Sequence, residues 1–316
     1  MDVSCNCKHP VVAVVGPTAS GKTSLGVALA KQFQGEIISA DSMQVYRGLD
    51  VGTAKVTAEE ACGVPHHGID LLAPDQLFSV ADFTALAGRL EQEISARGHL
   101  PVLVGGTGLY VQSFLYGVRF TEEKAPEGLR EQLAAELAEK GGDAMYAQLQ
   151  AVDPEAAAAI HPNNHVRVLR ALEHYRATGK KLSEQKAESL PREKPYRSLI
   201  LGLDFQERAQ LYRRIDRRVD QMMEAGLLEE SRTVWENRDR FRTAAQAIGY
   251  KEFFPYWEGE SPLAPCVEKL KQASRNYAKR QLTWFRHMED VVWLDASAPD
   301  VRERAAEQVR EFLAKG

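Results

Sequence analysis

The chain has 316 residues, 44% hydrophobic and 27% charged, and carries a formal net charge of −4. That length and composition bury enough core for one large domain with an insertion, or for two domains. The small acidic balance excludes a uniformly cationic nucleic-acid binder and leaves that role to local basic tracts.

Met1–Cys7 has an early Asp and no apolar signal core, and no apolar stretch is long enough to span a bilayer, so a cytoplasmic protein without membrane association is expected. Cys5, Cys7, Cys62 and Cys266 do not make the framework of a small secreted protein, and free thiols are expected. Cys5, Cys7 and His9 could ligate a metal, but structural zinc takes four ligands. The segment reads instead as an unstructured tail.

Strand and helix signals then alternate. The apolar run Val11–Val15 leads into Gly16-Pro17-Thr18-Ala19-Ser20-Gly21-Lys22-Thr23, and a helix follows to Phe33. A strand feeding a glycine loop that opens a helix is the context a phosphate-binding loop requires. Its backbone N–H groups, the helix N-terminus and Lys22 favour phosphate oxygens, and the Thr23 hydroxyl suits Mg²⁺. Strands are predicted at Glu36–Ala40, Gly68–Leu72 and Pro101–Val104, with a helix over 80–97 on which Phe83, Leu86, Leu90 and Ile94 recur at helical spacing. This is the parallel α/β pattern of a phosphate-loop core, a sheet flanked by helices.

From about 119 to 195 the strand signal gives way to helical periodicity. Leu129, Leu133 and Leu137 share one face, and Val168, Leu172 and Tyr175 another. An all-helical insertion over 119–195 is expected within a core formed by 1–118 and 196–316. The polar run Ser183–Lys194, with Pro191 and Pro195, reads as a linker. Strand character returns at Leu199–Leu203. Helices are predicted over 205–224, 226–236, 244–257 and 264–287, then a strand at Val291–Leu294 and a terminal helix.

In an open parallel sheet, ligands bind beyond the carboxyl ends of the strands. Three segments follow such ends: the phosphate loop, Asp41-Ser42-Met43-Gln44, and Gly105-Gly106-Thr107-Gly108. Asp41 could be a Mg²⁺ ligand, a helix cap or a general base. The glycine turn could admit a ligand close to the backbone with the Thr107 hydroxyl aimed at it, or could be a plain tight turn. No second acidic residue ends the Pro101–Val104 strand, which weakens an ATPase or kinase reading.

Arg214 and Arg218 lie one helical turn apart, suited either to gripping a diphosphate or to a solvated face paired with Asp216 and Asp220. Arg167, Arg170 and His174 share one side of an insertion helix and could follow a phosphate backbone. The last long helix interleaves Lys269, Lys271, Arg275, Lys279, Arg280, Arg286 and His287 with Tyr277, Trp284 and Phe285. That mixture fits RNA contact and ordinary amphipathic packing alike.

The loop above, Ser39–Gly48, Asp50-Val51-Gly52-Thr53-Ala54-Lys55, Gly105–Tyr110, His161–Asn164 with Arg167 and Arg170–Glu173, Ala247–Lys251 and Ala278–Arg286 together resemble the tRNA dimethylallyltransferase family nearly end to end. The resemblance implies transfer of a dimethylallyl group from dimethylallyl diphosphate to N6 of the adenosine at tRNA position 37, beside the anticodon, with pyrophosphate leaving. It implies a monomer that takes the tRNA anticodon stem-loop as partner and Mg²⁺ as cofactor. By the same resemblance Asp41 is the base and Thr107 bonds near the leaving oxygen. Residues 16–23 and Arg218 hold the diphosphate. Ser42, Met43 and Gln44 line the entrance for an extruded base, and Arg130 with Val166, Arg167, Val168, Leu169 and Arg170 meets the RNA stem. Val166 stands where a polar residue is expected, and Ser274 where threonine is common. The rival readings are a nucleotide kinase, a non-catalytic RNA binder, and a prenyltransferase acting on free adenylate.

Overall fold

A computed structural model of the chain describes residues 8–120, 126, 128–189, 191 and 193–315. Cys5 and Cys7 lie outside those residues. Contacts divide the chain into two compact units, one running up to Leu115 and resuming at Lys194, the other Tyr116–Glu193.

In the first unit β1 (Pro10–Val15), α1 (Lys22–Gln32), β2 (Gly35–Ser39), α2 (Ala58–Ala61), β3 (His66–His67), α3 (Val80–Ala96), β4 (Leu100–Gly105) and α4 (Gly108–Tyr116) follow in order. The second unit holds α5 (Leu129–Lys140), α6 (Gly142–Val152), α7 (Pro154–Ala159), α8 (His165–Thr178) and α9 (Leu182–Ser189). The chain then returns through β5 (Arg197–Asp204), α10 (Arg208–Glu224), α11 (Leu227–Glu236), α12 (Phe254–Trp257), α13 (Leu263–Arg286), β6 (Val291–Asp295) and α14 (Val301–Ala314).

The sheet of the first unit is parallel throughout, in the order β3-β2-β4-β1-β5-β6. The central strand β1 is buried from Val11 to Val15, as an all-apolar run covered on both faces must be. It pairs with β4 from Val12↔Val102 to Val15↔Gly105, and with β5 from Pro10↔Arg197 to Val15↔Gly202. Val12, Val14, Val102, Val104, Leu201 and Leu203 pack with Leu25 and Leu29 of α1 and Val309 of α14. At the opposite ends of the strands, the buried Glu36 carboxylate receives a bidentate bond from Arg97 at 3.0 and 2.8 Å and bonds to His67 and His99. The Arg97 bond, against the cost of burial and with the two histidines, holds Glu36 down at about 2. This anchor ties the short edge strand β3 to β2.

Three sequence expectations are corrected. The strand expected at Gly68–Leu72 is only His66–His67, because Gly68 at φ +82 and Asp70 at φ +55 turn the chain, and Leu72 keeps a single bridge to Tyr46. The helix expected over 244–257 is two 3₁₀ turns, Ala244–Gln246 and Lys251–Phe253, followed by α12. Gly249 at φ +109 interrupts it, its N–H donating to Glu252 Oε2 at 2.9 Å. The Ser183–Lys194 linker is largely helical as α9, drawn in by the buried Asp153, whose carboxylate accepts from Ser183 N and Oγ at 3.0 and 2.7 Å.

The second unit packs around Leu129, Leu133, Met145, Leu149, Val168 and Leu172. Asn164 caps α8, its side chain accepting from Arg167 N at 3.3 Å. Asp153 caps α7 by accepting from Ala156 N at 3.0 Å.

Candidate active site

The loop after β1 turns into α1 at Lys22. The first-turn N–H groups of a helix have no intrahelical partner and point at whatever lies before its N-terminus. Ala19 sits in the left-handed region at φ +62, a conformation costing a non-glycine residue roughly 1–2 kcal/mol. Arg214 holds it there, its Nε donating to Ala19 O at 2.9 Å. Ser20 Oγ is buried with no hydrogen-bond partner among the described residues, as befits a loop built around an anion.

Two further loops close on this one. Asp41 Oδ1 accepts from Met43 N at 2.9 Å, and Thr107 Oγ1 accepts from Ser42 N at 3.2 Å while Thr107 N donates to Ala40 O at 3.2 Å. The threonine therefore braces the Asp41 loop from behind. Gln44 is committed to the protein. Its Oε1 accepts from Ser39 Oγ at 2.8 Å and its Nε2 donates to Thr53 O and Ala54 O at 3.2 and 3.4 Å.

Two adjoining cavities meet here. The smaller, about 80 Å³, is lined by Lys22, Thr23, Ser39, Gln44, His66, Gly105 and Gln281 among others. The larger, about 360 Å³, is lined by Ser42, Met43, Ile215, Val219, Met222, Ile248, Leu270 and Arg280 among others. Thr18, Asp41, Thr53, Ala54, Arg218 and Tyr277 line both. Asp41 and Arg218 thus stand at the junction.

Burial and then the Arg218 charge push Lys22 down to about 8, with Asp41 acting in the opposite direction. Burial also lowers Arg218, again opposed by Asp41. Two half-buried cations beside one carboxylate leave an excess of positive charge that an anion would relieve. A phosphate-bearing anion would favour protonated Lys22, so affinity for inorganic pyrophosphate is expected to hold below about 8 and to weaken as pH rises above it, by up to about tenfold per unit. Stability runs the other way. Lys22 binds its proton less tightly folded than unfolded, so the cost of its buried charge is present below about 8 and disappears as pH climbs toward 10.5. Pyrophosphate affinity measured against pH checks this, with Lys22→Arg expected to flatten the decline.

Thr23 and Asp41 are oxygen donors that a divalent cation in the smaller cavity could meet. Among the described residues no three His, Cys, Asp or Glu converge as a metal cage. One hydroxyl and one carboxylate fit magnesium carried mainly by phosphate oxygens and water.

Of the arginine pair, Arg218 lines the cavities and Arg214 grips loop backbone. Asp216 and Asp220 pair with neither, being held by Arg275 at 2.5 Å and Lys271 at 2.7 Å. Arg286 likewise pairs with Asp204, so part of the basic run of α13 is fastening. Lys279 and Arg280 are exposed, and Arg280 lies over the Tyr277 ring at 5.5 Å.

In the second unit Arg130, Val166, Leu169 and Arg170 line one groove with Glu131 and Glu173, and Arg167 is exposed nearby in sequence. Val168 is corrected. It is 1% exposed in the core of that unit, so its side chain supports α8 and cannot meet RNA.

Two supports escaped the sequence reading. Glu230 accepts from Asp50 N, Val51 N, Gly52 N and the Tyr250 hydroxyl, all within 2.9 Å, and so sets the loop whose Gly52, Thr53 and Ala54 line the larger cavity. Gln281, 5% exposed, accepts from Thr18 N at 2.9 Å and donates to Gly106 O at 3.0 Å. A glutamine in register with the buried Ala278, Leu282 and Phe285 was the available signal for it.

A phosphate loop, two half-buried cations and a carboxylate at the junction with a roomier cavity are the parts of an enzyme site that takes an anionic phosphate group beside a second, partly apolar one. Residues 44–288 match the family model described as IPP transferase, and residues 9–66 the one described as isopentenyl transferase. The chain is 50% identical over 305 residues to a tRNA dimethylallyltransferase of Geobacillus thermodenitrificans, covering 96% of each, and 49% identical to one of Bacillus subtilis, covering 98% of each. Among solved structures it is similar to a tRNA isopentenylpyrophosphate transferase from Bacillus halodurans, with 47% identity, TM-score 0.71, and 98% of this chain and 96% of that one covered. It is also similar to a eukaryotic dimethylallyltransferase acting on tRNA, with 32% identity, TM-score 0.82, and coverage of 97% and 80%. The chain belongs to the IPP transferase family.

Proposed function

We propose that this protein transfers the dimethylallyl group of dimethylallyl diphosphate to N6 of the adenosine at position 37 of tRNA, releasing pyrophosphate. The observation that carries this reading is the placement of Asp41 and Arg218 at the junction of a small cationic cavity and a larger, partly apolar one. The small cavity takes the diphosphate, held in the loop of residues 16–23 by the N–H groups that open α1, by Lys22 and by Arg218. The larger takes the prenyl chain and the extruded adenine, past Ser42 and Met43.

N6 attacks the allylic carbon as its bond to the diphosphate oxygen breaks. The exocyclic amine is a weak nucleophile because its lone pair is delocalised, and Asp41 accepts its hydrogen bond and then its proton. Charge that develops on the leaving oxygens meets Lys22 and Arg218, already in place. The Thr23 hydroxyl, together with phosphate oxygens of the donor, would hold a magnesium ion, which would supply further charge neutralisation. Thr107 fixes the Asp41 loop through Ser42 N and Ala40 O, and in this reading its hydroxyl bonds near the leaving oxygen, as in the family the chain resembles.

RNA is gripped by the exposed Arg167, by Arg130 and Arg170 of the helical groove, and by Lys279 and Arg280 of α13. Val166 and Leu169 give that groove its apolar side, against ribose and base edges. The enzyme works as a monomer in the cytoplasm. Radiolabelled dimethylallyl diphosphate with Mg²⁺ should label unmodified tRNA and leave free AMP unlabelled. Label on AMP in preference to tRNA would move the acceptor, and ATP consumption without label would return the loop to a nucleotide.

A further inference from the structure

We propose that Gln281 is a positioning residue that sets the distance between the diphosphate cradle and the Asp41 base. The inference rests on the transfer reaction proposed above. The three catalytic loops are joined by one run of hydrogen bonds. Thr18 N–H of the cradle donates to Gln281 Oε1 at 2.9 Å, and Gln281 Nε2 donates to Gly106 O at 3.0 Å. The next residue, Thr107, donates its N–H to Ala40 O and accepts from Ser42 N at 3.2 Å, on either side of Asp41. Tyr277, one turn before Gln281 on α13, lines both cavities beside these loops.

Each partner of Gln281 is a backbone group, so the bridge fixes main chain to main chain and does not depend on rotamers at its ends. There is no slack in it. A Cβ on Gly106 would lie 2.1 Å from Gln281 Nε2, which makes glycine the residue that lets the amide sit this close. The carboxamide is buried, and both polar atoms are satisfied by these two loops, so any change of its length or chemistry must move one loop or leave a buried group unpaired. In a displacement the separation of base and leaving group is set by the nucleophile and carbon between them, and a misplacement of about 1 Å costs about 100-fold in rate.

Gln281→Met keeps the volume and removes both bonds. Its kcat is expected to fall about 100-fold, while affinity for inorganic pyrophosphate and for tRNA changes less than about threefold and the melting temperature confirms a folded protein. Gln281→Asn, polar but too short to span both loops, is expected to show the same split and carries the test if the Met variant does not fold. A kcat within about threefold of wild type in the folded variant would mean that Gln281 only fills space, and would overturn the proposal. A loss that tracks the folded fraction, with tRNA binding falling alongside, would overturn it too. Absence of transfer by the wild-type enzyme would instead remove the reaction on which it rests.

Discussion

Replacing Asp41 with Ala should lower prenyl transfer by about 10²–10⁴-fold, the range for loss of a positioned general base, and leave tRNA affinity nearly unchanged. Among the described residues the carboxylate accepts from Met43 N at Oδ1, and it lines both cavities. That bond is the role it would have as a plain turn cap. Asp41→Asn separates the two roles, since the amide oxygen still accepts from Met43 N but the group cannot take a proton at neutral pH. Asn as inactive as Ala identifies the base. Asn restoring transfer would reduce Asp41 to a turn residue, and equal loss of tRNA binding in both variants would sink the division of labour between base and RNA contacts. Single-turnover transfer and filter binding of tRNA, run on the same preparations, decide it.

Arg218→Ala should cost about 10²–10³-fold in kcat/KM for the prenyl donor, the loss typical when one preorganised donor to a developing oxyanion is removed. Arg218→Lys should recover only part, because an ammonium cannot reproduce the planar fork that meets two phosphate oxygens at once. A second effect follows from the coupling between the two cations. Arg218 is one of the causes that keep Lys22 near 8. Without it Lys22 stays protonated to higher pH, so the pH at which donor affinity declines should move up in the Ala variant. A variant with weaker binding but an unmoved pH profile would show that Arg218 is not the charge Lys22 feels.

Much of this was legible in residues 11–44, where the strand, glycine loop, helix and strand-end Asp41 are close in sequence and each has a local physical signature. Parallel pairing then placed the Gly105–Gly108 turn next to them. Gln281 was not legible as a bridge because its partner Thr18 lies 263 positions away, and nothing local distinguishes a bridging glutamine from a surface one except its apolar register. Glu230 fails for the same reason, since its three amide donors lie some 180 positions earlier. Val168 is a different kind of miss. Helical periodicity already put it on the face with Leu172, whereas treating 166–170 as one RNA-contacting block ignores that a helix turns about 100° at each residue. The break at Gly249 was hidden because a single glycine in a helical pattern is often tolerated.

The strand order bears on how the protein comes into being. β1 is made first, but one of its two neighbours, β5, lies on the far side of the whole helical unit, and Gln281 comes later still. A nascent chain that has emerged only as far as β4 has its phosphate loop on a strand with one open edge, a liability for mispairing. Such distant pairings are slow to find. Competence to bind the donor is therefore acquired near the end of synthesis, and an N-terminal fragment carrying the complete loop motif should be a poor diphosphate binder.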